Sequence, residues 1–180
     1  MSVGLVGSEM CIRDRASTGL ASITKIMTSY IVADYLKQGF LNIKDSTTVS
    51  EKCWRMEGSR MFIQEGKKVL IEDLMRGMIV QSGNDAACAL AEHIAGTQED
   101  FASLMNDYAQ KMELKNTNFT NPTGLPNVNH YSTAEDIAKL SIVLINDFPD
   151  EYAIYSEKEF TYNDIRPVSY THLTLPTTGI

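Results

Sequence analysis

The chain reads as a helix-rich fold in which strands are a minor component. Three observations predict this. Apolar residues recur at helical spacing through most of residues 22–147, only two short stretches make strand candidates, and one long loop rich in Asn, Pro and Gly breaks the helical pattern. With 180 residues, 43% of them hydrophobic, the chain can bury one core.

Residues 22–37 give the first helix, with Ile23, Met27, Tyr30, Ile31 and Leu36 near helical spacing and Gly39 as the stop. Ser22 then falls in the first turn, where unpaired amides and the positive end of the helix dipole favour a serine oxyanion over a neutral hydroxyl. Met61-Phe62-Ile63 is the first strand candidate. Ile71, Leu74, Met75, Met78 and Ile79 fall at i, i+3, i+4, i+7 and i+8, marking a second helix that Gly83 ends. Ser82 and Asn84 therefore occupy a corner between helices. A third helix covers 85–94 and stops at Gly96; a fourth covers 98–112 and buries Phe101, Leu104, Met105 and Tyr108. The loop follows over 116–131. Ser132 or Thr133 caps a fifth helix, with Glu135 and Asp136 in its first turn and Ile137, Leu140, Ile142, Val143 and Leu144 inside it. Residues 158–162 are the second strand candidate.

Charge and composition exclude several classes. The net charge of −7, with no basic stripe, argues against a nucleic-acid partner. No run of apolar residues is long enough to span a bilayer, and Val3-Gly4-Leu5-Val6 is too short for a signal-peptide core. Cys11, Cys53 and Cys88 form no Cys-x-x-Cys and no histidine cluster lies near them, so neither a zinc site nor another metal is expected. Cys88, set among alanines, reads as a small buried hydrophobe, with a Cys53–Cys88 disulfide as the minor alternative. His93, His130 and His172 are scattered, and Asp34, Asp73 and Asp85 have no partnering histidine, so a Ser-His-Asp triad is not expected.

The two ends stand apart. Residues 1–15 (MSVGLVGSEMCIRDR) and 167–180 (PVSYTHLTLPTTGI) show no helical or strand period, and both strings resemble translated sequencing-adapter DNA. They are read as non-native or disordered, which leaves 16–166 as the domain.

Two phrases carry the chemistry: Ala21-Ser22-Ile23-Thr24-Lys25 and Gln81-Ser82-Gly83-Asn84-Asp85. A serine and a lysine three positions apart on a helix lie about 5–6 Å apart at Cβ, so the amine can take the hydroxyl proton. The second phrase supplies another hydroxyl and an amide. Each phrase alone is weak; their order, separation and flanking residues give them weight.

The stretch from Ala21 through Ser22-Ile23-Thr24-Lys25-Ile26-Met27 to Thr28 resembles the nucleophile helix of the serine D-alanyl-D-alanine carboxypeptidases, the low-molecular-mass penicillin-binding proteins. Ile79-Val80-Gln81-Ser82-Gly83-Asn84-Asp85-Ala86 is similar to their second motif. Asn116-Thr117-Asn118-Phe119, Asn121-Pro122-Thr123-Gly124-Leu125-Pro126 and Tyr131-Ser132-Thr133-Ala134 resemble the loop and helix start that follow, and residues 151–155 and 159–163 continue the likeness. It implies an α+β, β-lactamase/transpeptidase-like fold, with the site between an antiparallel sheet and a helical subdomain. On that reading the chain holds mostly the helical subdomain, most of the antiparallel sheet is missing, and apolar faces are left exposed. The family's third motif, Lys-Thr-Gly, is absent: Thr177-Thr178-Gly179 has no lysine before it.

The resemblance also implies roles. Ser22 is the nucleophile and Lys25 the base, its pKa depressed by burial beside other cations; Ser82 relays a proton and Asn84 holds a substrate amide. Thr123-Gly124-Leu125 is a loop-shaping turn with a minor part at the rim. The implied substrate is a peptidoglycan stem pentapeptide ending D-Ala-D-Ala, with β-lactam antibiotics as acylating inhibitors and no cofactor. The implied location is the periplasm or the outer face of the cytoplasmic membrane of a bacterium. Full-length relatives carry a cleaved signal and many carry a C-terminal anchor, neither of which is visible. A β-lactamase-like hydrolase is the alternative within the superfamily, but no Glu-x-x-x-Asn phrase occurs in the 120–150 region. A non-catalytic fragment is the other alternative.

Overall fold

The computed structural model describes residues 18–165. Expectations for 1–15 and 167–180, including Cys11, His172 and Thr177-Thr178-Gly179, lie outside the described residues.

Strand β1 (Thr18–Gly19) leads into a 3₁₀ turn (Ala21–Thr24) and then α1 (Lys25–Lys37). Next come β2 (Ser46–Thr48), α2 (Glu51–Trp54), β3 (Lys68–Leu70), α3 (Ile71–Val80), α4 (Asn84–Ala95) and α5 (Gln98–Lys111). After the loop, β4 (Tyr131–Ser132), α6 (Ala134–Asp147), α7 (Pro149–Ala153) and a 3₁₀ turn (Ile154–Ser156) complete the described chain. Helices dominate. Among the described residues the strands form two short antiparallel pairs, β1 with β4 and β2 with β3.

The helices form where the spacing predicts, and their ends follow local chemistry. Thr133 caps α6 by accepting a hydrogen bond from the Asp136 N–H, with Glu135 and Asp136 in the first turn. Thr97 caps α5 in the same way through Asp100, and Gly96, at φ 84°, takes the left-handed residue that closes α4. Helix α4 is central because its small residues let neighbours approach on every side: Ala86, Ala87, Ala89 and Ala91 are all buried. It separates a core built on Leu74, Met75 and Met78 of α3 from one built on Met27, Ile31, Phe101 and Met105. Each such buried side chain contributes about 1.5–3 kcal/mol relative to an exposed one.

Four expectations are corrected. Met61-Phe62-Ile63 alternates in burial but is not a strand: the Met61 and Ile63 N–H groups donate to the Asp85 carboxylate, and Phe62 has φ 64°. The 158–162 stretch contributes only an isolated bridge between Tyr162 and Ile165. The strands that do form at β2 and β3 are too short for an alternating pattern to announce them. Cys53 and Cys88 are joined in a disulfide, Cα to Cα 5.3 Å, which ties α2 to α4. Both cysteines are fully buried, as a small hydrophobe would be, so composition could not separate the two states. On α6, Leu140 and Leu144 face the core as expected, whereas Ile142 is 58% exposed. No helix among the described residues is long and apolar enough to cross a membrane.

Candidate active site

Ser22 sits in the 3₁₀ turn that opens into α1 and is exposed on the wall of a cavity of about 620 Å³. Asn84, Thr123, Gly124, Leu125 and His130 line the same cavity. Among the described residues the Ser22 hydroxyl has no hydrogen-bond partner. The residue before it, Ala21, has φ 42°, a conformation a non-glycine residue holds only where neighbours enforce it. Gly124 leaves room for the resulting turn: at φ +85°, a Cβ there would lie 1.7 Å from the Ala21 carbonyl oxygen.

Lys25 begins α1 and its side chain is buried. Its ammonium donates to Asn84 Oδ1 and to the Thr123 carbonyl, both at 2.8 Å. Burial lowers its pKa from the ordinary lysine range to about 8, and the charge of Asp85 opposes that shift only in part. Among the described residues no cation contributes to the shift, so desolvation alone supplies what burial beside other cations is expected to supply. About a tenth of this amine is then neutral at pH 7, and that fraction is able to accept a proton.

The second phrase is the α3–α4 corner. Asn84 accepts from Lys25 at Oδ1 and donates from Nδ2 to the Glu57 carbonyl at 2.6 Å, so its amide is engaged within the chain and fixes the lysine. Gly58 makes room for it, since a Cβ there would come within 2.8 Å of Nδ2. Ser82 has φ 56° and a buried hydroxyl with no hydrogen-bond partner among the described residues. Asp85, next along, ties the 57–63 segment to the start of α4 through the Met61 and Ile63 amides, and burial raises its pKa.

Two groups do more at the site than the sequence marks. The Thr123 carbonyl and Gly124 hold Lys25 and the Ser22 turn directly, which is more than a rim role; the glycine in an Asn-Pro-Thr-Gly phrase was the available signal. His130 is 3% exposed and bonded at both ring nitrogens, and nothing local in the sequence marks it. Among the described residues the cluster of metal-ligating side chains is Cys53, Cys88 and Glu92, and its two sulfurs are bonded to each other.

A transpeptidase-like class is defined by the structural neighbours. Penicillin binding protein 6B from Escherichia coli superposes with a TM-score of 0.86 at 38% identity over 92% of this chain and 54% of that one. Residues 13–177 match the sequence profile of the D-alanyl-D-alanine carboxypeptidase (peptidase S11) family, and the chain belongs to it. It is 50% identical over 149 residues to the D-alanyl-D-alanine carboxypeptidase DacA of Haemophilus influenzae, covering 81% of this chain. It is 49% identical over 152 residues to DacC of Escherichia coli, again covering 81% of this chain. The chain spans 38% of the length of each of these relatives.

Proposed function

We propose that this chain carries the acylation half of a serine-type D-Ala-D-Ala carboxypeptidase acting on peptidoglycan stem peptides outside the cytoplasmic membrane, within a catalytic domain occupying residues 16–166. The observation that supports it most is a buried lysine with a pKa of about 8, fixed by Asn84 and Thr123, one turn from an exposed serine at a cavity wall.

Ser22 Oγ attacks the carbonyl carbon of the penultimate D-alanine while its proton passes to Lys25 Nζ. The tetrahedral oxyanion takes a hydrogen bond from the Ser22 N–H. Collapse breaks the amide bond, and the terminal D-alanine leaves as an amine after receiving a proton through the Ser82 hydroxyl, which has no partner among the described residues. Water then attacks the ester, releases the shortened peptide and restores Ser22. Asn84 holds Lys25 throughout and offers a remaining amide hydrogen to substrate. A β-lactam acylates Ser22 by the same attack.

The test is to treat the chain with a fluorescent penicillin and map the adduct by peptide mass spectrometry. A penicilloyl group on the Ser22 peptide, lost in Ser22→Ala, is the expected result. Label on another residue overturns the assignment, and no label at all favours the non-catalytic reading.

A further inference from the structure

His130 links the loop at 116–131 to the turn that carries Ser22. The Thr120 backbone N–H donates to its Nδ1 at 3.0 Å, so the neutral ring carries its proton on Nε2. That Nε2–H donates to Thr24 Oγ1 at 2.7 Å across 106 residues of sequence. Thr24 stands between Ser22 and Lys25. The Phe119 ring packs edge-on against the imidazole, with centroids 5.8 Å apart, which fixes the ring plane. The cavity wall formed by His130 is thus continuous with the backbone that aims the nucleophile.

We infer that His130 is a positioning residue: its neutral imidazole, accepting from Thr120 and donating to Thr24, sets the Ser22 turn against the cavity loop. The inference rests on the acylation reading above, and it makes His130 act through Thr24 rather than on the substrate. Among the described residues the groups bonded to or stacked on the ring are Thr24 from the nucleophile turn and Phe119 and Thr120 from the loop, none of them charged at neutral pH. Lys25, the charge on the adjoining helix, is bonded to Asn84 and Thr123 instead. Burial alone lowers the His130 pKa and so favours the neutral ring. Protonation at Nδ1 in acid would set one N–H against the Thr120 N–H and release the loop bond.

Two variants separate the two bonds. His130→Gln can reach Thr24 with an amide N–H, whereas His130→Asn is short and keeps only an acceptor for Thr120. The experiment compares both with the native chain by amide hydrogen exchange of residues 20–25 and by the rate of fluorescent-penicillin acylation. Expected are faster exchange in that turn and acylation about 10- to 100-fold slower in His130→Asn, both largely restored in His130→Gln, with α5 exchange unchanged in each. Unchanged exchange at 20–25 in His130→Asn, or equal exchange across the whole chain in both variants, overturns the inference. The exchange result decides His130 even where no acylation is seen, a failure that belongs to the acylation reading.

Discussion

Two regions meet at Lys25 and are built in opposite ways. On the loop side buried polar groups are paired: Lys25 on the Thr123 carbonyl, Thr28 Oγ1 on the Pro122 carbonyl and His130 on Thr24, with Gly124 packed on the Ala21 carbonyl. On the corner side, among the described residues, Gln81 Oε1 and the Ser82 hydroxyl are buried without partners, and Ser82 stands in the left-handed region. An unmade hydrogen bond of this kind costs about 1–3 kcal/mol, and a left-handed non-glycine residue about 1–2 kcal/mol more. The difference lies in hydrogen bonding rather than in backbone strain, since Ala21 on the loop side also holds a positive φ, 42°. Lys25 and the Ser22 turn are tied to the loop by bonds and close packing, while Ser82, the proposed proton relay, keeps a buried hydroxyl without a partner among the described residues.

The largest effect on this comparison should come from outside both regions. The Cys53–Cys88 bond closes a separation of 35 residues and anchors the helix that starts with Asn84. Replacing both cysteines with alanine should lower the unfolding free energy by about 4 kcal/mol, read by urea denaturation. An unchanged midpoint would show that packing alone holds α4.

Asp85 sharpens the comparison because it serves both sides. Asp85→Asn keeps one acceptor for the 61–63 amides and should cost about 1–3 kcal/mol. It also removes the charge that raises the Lys25 pKa, so the pH midpoint of acylation should move down. A midpoint that moves up would place another group in the base's role.

The smallest expected change is at the corner itself. Ser82→Gly relieves the left-handed strain and removes the orphan hydroxyl, so it should stabilise the chain by about 1 kcal/mol while slowing acylation. Thermal melting and labelling on the same samples check both arms. A variant that is both more stable and as fast would remove Ser82 from the relay.

The helices were legible because their apolar residues keep a local period, as in Ile71, Leu74, Met75 and Met78, all buried where the spacing puts them. Ser22, Lys25, Ser82 and Asn84 were legible as candidates because their phrases are short and local. What stayed hidden is non-local. Strand pairing of Ser46–Thr48 with Lys68–Leu70, the Cys53–Cys88 bond and the reach of His130 to Thr24 all join residues far apart in sequence. The 61–63 stretch misled because burial alternates there for a different reason, the grip of the Asp85 carboxylate on two amides.

The most direct test of the account is the pH profile of Ser22 acylation in the native chain and in Lys25→Ala. A base whose pKa is lowered to about 8 works only when neutral, so the rate should rise with pH and level off above that value. The native chain should be about a hundredfold slower near pH 6 than near pH 9, and Lys25→Ala should lose about 10²–10⁴-fold at the plateau along with the rise itself. A native profile that is flat over that range, or one that Lys25→Ala reproduces, would contradict the assignment of Lys25 as the base.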